Sequence, residues 1–314
     1  MNRRNALIAY VLIACTLVFA LIARAADTRS GSWAISHSDE PGKVQFALIY
    51  HDKHSNSNHQ TDWSTSEFRG VDFSKSGKQD VKFTIARDAG KFDCEGYLNN
   101  GEGAGVFHFT AEPQYVSQMS ALGFSGIDAD KQFSMAMLDV SVAFAKEIKA
   151  ANVHGLDTDK LIAFRIFNVN REFIESMRKA GLTATDADKL VAFRIHGVSP
   201  EMVSFVRSSG YQPDEDKLVA MRIHGVSPEF MQQLKKEGYD HIDLDKLIAF
   251  RIHGVSPDFI EKVQTLGYQH PEPDQLVAMR IHGVSPEFIS DMKSRGMKDL
   301  TIDKLVSLRI HGID

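Results

Sequence analysis

The chain is nearly without cysteine. Among 314 residues only Cys15 and Cys94 carry a thiol, which excludes the disulfide framework that staples many small secreted domains. Cys94 alternates with Phe92 on an expected strand and reads as a small buried hydrophobe. Catalytic and cofactor signatures are also missing: the sequence holds no HExxH, GxSxG, phosphate-binding loop or CxxC. The run Gly101 to Gly105 is rich in glycine, but a strand pattern follows it where a dinucleotide site needs a helix, so it reads as a hairpin turn. No catalytic residue and no cofactor are therefore expected, and the chain reads as a non-enzyme.

Basic runs are absent as well. Residues 1–25 contain Arg3, Arg4 and Arg24 and no acid, so their removal leaves 33 basic against 41 acidic residues, a net charge of −8. An acidic chain without a basic patch is a poor partner for nucleic acid or an anionic membrane surface.

One long apolar run is present. Residues 6–23 form an uncharged stretch of 18 residues behind the basic leader Met1-Asn2-Arg3-Arg4-Asn5, and Ala23-Arg24-Ala25 offers a signal peptidase site. The segment 1–25 reads as a cleaved signal peptide or as an uncleaved transmembrane anchor, since 18 residues reach the length of a membrane span. Either way the remainder lies outside the cytoplasm, periplasmic or secreted, with Arg3 and Arg4 on the inner side. Contact with the membrane is expected only through that segment.

Residues 30–111 alternate as strands do. Val44, Phe46, Leu48 and Tyr50 form one period-two set, Val81, Phe83 and Ile85 another, followed by Phe92 and Cys94 and by Phe107 and Phe109. Turn signals at Glu40-Pro41-Gly42, Asp88-Ala89-Gly90 and Asn99-Asn100-Gly101 separate them. About six short strands, a small antiparallel meander or sandwich, are expected. Within this stretch His51, His54 and His59 are metal-ligating residue types close in sequence. No helix or hairpin spacing fixes their geometry, so a solvated loop is favoured over a metal site.

From residue 113 onward the sequence repeats. RIHGVSPEM, RIHGVSPEF, RIHGVSPDF, RIHGVSPEF and a final RIHGID begin at Arg194, Arg222, Arg251, Arg280 and Arg309, with steps of 28, 29, 29 and 29 residues. A worn copy, RIFNVNREF, begins at Arg165, and a fainter one passes through Phe133, Met135 and Met137. Such a period marks a repeat array. In the unit from Asp243, the spacing of Leu244, Leu247, Ile248 and Ile252 predicts a short helix that Gly254 ends; Ser256-Pro257 restarts a second helix, which carries Phe259, Ile260 and Val263 and stops at Gly267. Helices this short are marginal alone. Stacked pairs give an α-solenoid over 113–314, so the fold class is α+β, mainly α.

Two side-chain rows follow from the period. His196, His224, His253, His282 and His311 occupy one position per repeat. Layers about 8–10 Å apart place them too far apart for one metal ion, whose ligands sit at about 2 Å. Capping of helix C-termini is the favoured role, and a pH-responsive surface the alternative. Arg194, Arg222, Arg251, Arg280 and Arg309 lie on otherwise apolar helices. They are expected to reach acids such as Glu229, Asp258 or Glu287 as a structural ladder, with anion recognition the alternative.

The motif Phe83-x-x-x-Arg87-Asp88-Ala89-Gly90-x-Phe92, the Gly101 to Gly105 hairpin leading to Phe107-x-Phe109, and the repeat DKLxAxRIHGVSPEF resemble bacterial exported proteins of uncharacterised function. The repeats are similar to the tails that follow the metallopeptidase domain of antirepressors sensing β-lactams. This chain lacks the zinc motif of that domain, so no catalytic residue carries over. The resemblance implies an extracytoplasmic sensing or scaffolding accessory. The expected function is a noncatalytic module that binds a protein or peptide in the cell envelope through the solenoid. The alternative is a ligand- or metal-responsive sensor accessory that uses the β domain.

Overall fold

The computed structural model describes residues 28–51, 56–182 and 186–313. The leader and apolar run, 1–25, lie outside the described residues, as do His54 and the side chains of His51 and His59; the backbone of His51 and His59 lies in two paired antiparallel strands, Lys43–His51 and Asn56–Ser64, which corrects the loop expected there. No helix among the described residues is long and apolar enough to cross a membrane. A small antiparallel β-sheet precedes a helical repeat region, fourteen helices among the described residues. Contacts divide the described residues into two compact units, 28–152 with 156–166 and 153–155 with 167–313.

The first unit contains one six-stranded antiparallel sheet. Its strands are β1 (Thr28–His37), β2 (Lys43–His51), β3 (Asn56–Ser64), β4 (Lys78–Arg87), β5 (Gly90–Asn99) and β6 (Glu102–Ala111), in the order β3-β2-β1-β6-β5-β4. Two three-stranded meanders are thus joined along β1 and β6, where Gly31 pairs with Phe107 and Trp33 with Gly105. The strands are 9 or 10 residues long, and they make a single coiled sheet where a second sheet was one of the two expectations. Its coiling brings the two edges together, with the Arg87 guanidinium of β4 3.7 Å from the Trp63 ring of β3.

The period-two residues line the inner face: Trp33, Phe46, Leu48, Phe83, Ile85, Phe92, Phe107 and Phe109 are all buried. Phe68, from the segment after β3, closes this face against Phe46 and Phe83. The glycine run corrects the hairpin reading. Only Asn100-Gly101 forms the turn, with φ of 53° and 85°, whereas Gly103 and Gly105 lie inside β6. A Cβ on Gly103 would run into the Tyr97 backbone, and one on Gly105, or on Gly96 beside it, would meet both the backbone of the paired strand and the Trp33 indole ring, the latter at 2.7 Å. Gly96 and Gly105 are a bed for one large ring.

Helices α1 (Pro113–Ala121), α2 (Ala129–Met137), α3 (Val142–Ala150) and α4 (Thr158–Ile166) complete this unit. The fainter copy keeps the repeat's caps, Asp128 accepting from the Lys131 N–H and Ser141 from the Phe144 N–H. Its Phe133 has another use. The ring packs 5.0 Å from Phe109 and 5.8 Å from Phe92, covering the end of the sheet. Gln132 donates to the carbonyls of Ala89 and Glu112, both at 2.8 Å.

The second unit is the clear part of the array: α5 (Arg171–Lys179), α6 (Ala187–His196), α7 (Pro200–Ser208), α8 (Glu215–Ile223), α9 (Pro228–Lys236), α10 (Leu244–His253), α11 (Pro257–Thr265), α12 (Pro273–Ile281), α13 (Pro286–Ser294) and α14 (Ile302–Ile310). First helices (α6, α8, α10, α12, α14) stack on first helices, and second helices (α5, α7, α9, α11, α13) on second helices. Each second helix opens on a side-chain cap, as when Ser227, Ser256 and Ser285 accept from Phe230, Phe259 and Phe288 N–H groups. The four first helices α6, α8, α10 and α12 close through a left-handed glycine, Gly197, Gly225, Gly254 and Gly283, at φ near 70°. The next valine then sends its N–H back 2.8 Å to the last turn, Val255 to the Phe250 carbonyl, and is buried there. In the worn copies Asp139 and Asn168 take the same conformation, at φ of 52° and 54°.

Candidate binding surface

The first helices bury one side completely. Leu190, Leu218, Leu247, Leu276 and Leu305 are all but sealed, as are Phe193, Met221, Phe250 and Met279 three residues on. Ile252 departs from its expected place in the core. It follows Phe250 by two residues, about 200° around the helix, and is 54% exposed. Ile195, Ile223, Ile281 and Ile310 stand at the same position and are exposed to between 53% and 59%. A single exposed isoleucine is unremarkable. Five at one position in successive repeats make a regular apolar row.

The histidines follow directly behind this row. His196, His224, His253, His282 and His311 are all exposed. The expected capping is made once among the described residues, where His311 Nδ1 lies 2.7 Å from the Ser307 carbonyl and acts as the N–H donor to it. The other four imidazoles carry no hydrogen bond among the described residues. No group of three or more metal-ligating side chains occurs there either.

Arg222, Arg251 and Arg280 reach backward to carbonyls of the preceding repeat, and to no acid among the described residues. Arg251 Nε donates to the His224 carbonyl at 3.2 Å, and Arg222 and Arg280 donate to the His196 and His253 carbonyls at 3.4 Å. The guanidinium groups of Arg251, Arg280 and Arg309 lie 4.9–5.0 Å from the rings of Phe230, Phe259 and Phe288. They also cover the turn glycines: a Cβ on Gly225 would lie 2.9 Å from an Arg251 nitrogen. Arg194 departs from the row. Its guanidinium sits 3.9 Å from the Phe173 ring, its Nε has no hydrogen-bond partner among the described residues, and burial lowers its pKa.

The expected acid partners are engaged elsewhere. Asp258 pairs with Lys262 at 2.8 Å. Glu229 is held low by its own backbone N–H and then by Ser227, and Glu287 by Ser285 and then by its own N–H. Arg222, Arg251 and Arg280 consequently have no carboxylate partner among the described residues. They are exposed, with most of each guanidinium fork unused.

A second cation row, at the opposite end of the first helices, behaves differently. Lys189, Lys217 and Lys246 pair with Asp216, Asp245 and Asp274 of the following repeat. A third device ties the second helices forward. Tyr211, Tyr239 and Tyr268 donate their hydroxyls to the carbonyls of Ile242, Pro271 and Leu300, at 2.6–2.8 Å. Burial, and then Glu272, push the Tyr239 hydroxyl up to about 12.

The sheet's outer face carries a groove of about 770 Å³ around Ser30, Glu95, Val106 and His108. Ser30 Oγ lies 2.9 Å from His108 Nδ1. Asp93, which pairs with His108 across strands, accepts from Thr84 at 2.7 Å and bridges to Lys91 at 2.8 Å. The three side-chain types match a nucleophile relay, but that relay needs the carboxylate on the second ring nitrogen. Here the carboxylate serves Thr84 and Lys91.

No family model matches this chain, and no curated protein matches it.

Proposed function

We propose that the chain is a noncatalytic interaction module that works outside the cytoplasm and binds a protein or peptide along its repeats. The row of exposed isoleucines at the C-terminal ends of the first helices carries this reading. An apolar position left in solvent once per repeat has no use in stacking, which is already complete through the buried leucines, phenylalanines and methionines. Repetition of one small contact raises total affinity without any single strong site. Export rests on the leader sequence, and the resemblance to exported proteins agrees with it.

The reading is tested by position. A photoreactive residue at Ile223, Ile252 or Ile281 is expected to cross-link an envelope protein in cells, while one at Lys217 or Lys246 gives no adduct. Excision of residues 243–271, which keeps the repeat register, is expected to leave a folded array that binds more weakly. Equal labelling from both edges, or none from the isoleucine edge, removes the proposal.

A further inference from the structure

We infer that the isoleucine–histidine–arginine edge takes an extended acidic peptide in which a carboxylate and an apolar side chain recur about every three residues. The inference rests on the proposed binding function and adds the chemistry of the partner. Charge complementarity supports it. The lysine edge of the same helices has its charge answered by aspartates from the next repeat. At the arginine edge, Arg222, Arg251 and Arg280 use one N–H each on a carbonyl and meet no carboxylate among the described residues. Their remaining N–H groups are arranged as a fork that suits a carboxylate. The acids that follow them on the next helix, Glu229, Asp258 and Glu287, are turned onto their own serine, their own backbone or Lys262.

The spacing supports an extended ligand. Stacked helices lie about 8–10 Å apart, and an extended polyproline-II chain rises about 3.1 Å per residue with three residues per turn, so every third ligand side chain returns to the same face about once per repeat. Each repeat then offers one isoleucine for an apolar side chain and one guanidinium for an acid. The exposed imidazoles of His224, His253 and His282 lie next in sequence to the isoleucines and add donors when protonated.

The experiment uses the full-length chain and three synthetic peptides of about 15 residues, built from Glu-Ile-Ser, Gln-Ile-Ser or Lys-Ile-Ser triplets, with binding read by fluorescence anisotropy. The glutamate peptide is expected to bind about tenfold tighter than the glutamine peptide, with the lysine peptide weaker still. That preference is expected to shrink as salt rises, as for a sum of exposed ion pairs. The combined Ile223→Ser, Ile252→Ser and Ile281→Ser variant, altered only at exposed positions, is expected to lose at least tenfold. Arg251→Gln with Arg280→Gln is expected to remove the glutamate preference; circular dichroism checks that the helices persist. Tighter or equal binding of the lysine or glutamine peptide, lost in the isoleucine variant, overturns the acidic chemistry and leaves the surface standing. Binding by none of the peptides also overturns this inference, and the in-cell cross-linking then decides the binding function separately.

Discussion

The two ends of the first helices carry the same formal charge on very different terms. At the N-terminal edge each lysine meets an aspartate of the next repeat, so charge is spent on holding layers in register. At the C-terminal edge Arg251 and Arg280 each lean on a phenylalanine and a carbonyl of the preceding repeat, and their guanidinium groups meet no carboxylate among the described residues. The difference teaches that repeat-locked residues are not all of one kind. A position can recur because the stack needs it, or because the stack leaves it free. The isoleucine row belongs to the second group and the valine after each turn glycine to the first.

The largest effect expected from breaking this comparison lies at the turn glycines. Gly225 and Gly210 are both left-handed, but only Gly225 lies under a guanidinium, since a Cβ on Gly210 meets nothing within 4 Å. Gly225→Ala is expected to cost about 2 kcal/mol of stability and Gly210→Ala about 1, because alanine in this region is disfavoured by about 1–2 kcal/mol before any contact is counted. In an Arg251→Ala background the two costs should converge, as a double-mutant cycle in urea unfolding would show. Equal costs in the wild-type background would remove the guanidinium's part in the turn.

A smaller effect separates the two cation rows. Arg251→Ala loses a ring contact and a carbonyl hydrogen bond, about 1 kcal/mol together. Lys217→Ala removes an exposed ion pair and is expected to cost less, about 0.3 kcal/mol. A larger loss at Lys217 would reverse the assignment of roles to the two edges.

The smallest effect is on pH dependence. The Lys217 ammonium is held above the ordinary lysine range chiefly by its hydrogen bond to Asp245. A raised folded value means its contribution is complete below the unfolded value of about 10.4 and disappears as pH climbs through the folded one. Wild type and Lys217→Ala should therefore converge only in strong alkali, and thermal melts across that range would show it. At the acid end the sign reverses. Glu229 is held low, so its contribution is present above about 4.3 and is lost on further acidification.

Much of this was legible beforehand, for reasons that particular residues show. Ser256-Pro257 and Gly254 are local signals whose physics needs only the neighbouring backbone, and the caps appear where they were expected. The alternating strands were equally open to reading, because one face of an antiparallel sheet is buried and period two reports it. Ile252 was misplaced because it sits four residues beyond Ile248, a core spacing, on a helix that is apolar around most of its surface. Periodicity alone cannot tell which apolar side a neighbour will cover. The arginine row is hard to read for a related cause: a guanidinium can reach several partners, and the acids near it in sequence are engaged within their own helices, Glu229 and Glu287 at the cap and Asp258 on Lys262.

The sequence alone determined the period, the two-helix unit, the caps, and the change from strands to helices, since each depends on contacts within a few residues or on strict repetition. Tertiary structure alone decided that Phe133 serves the sheet and that glycines make room for Trp33. It also decided that the arginines face backward while the isoleucines remain in solvent. These outcomes depend on which surfaces meet across long stretches of chain, and no local pattern encodes that.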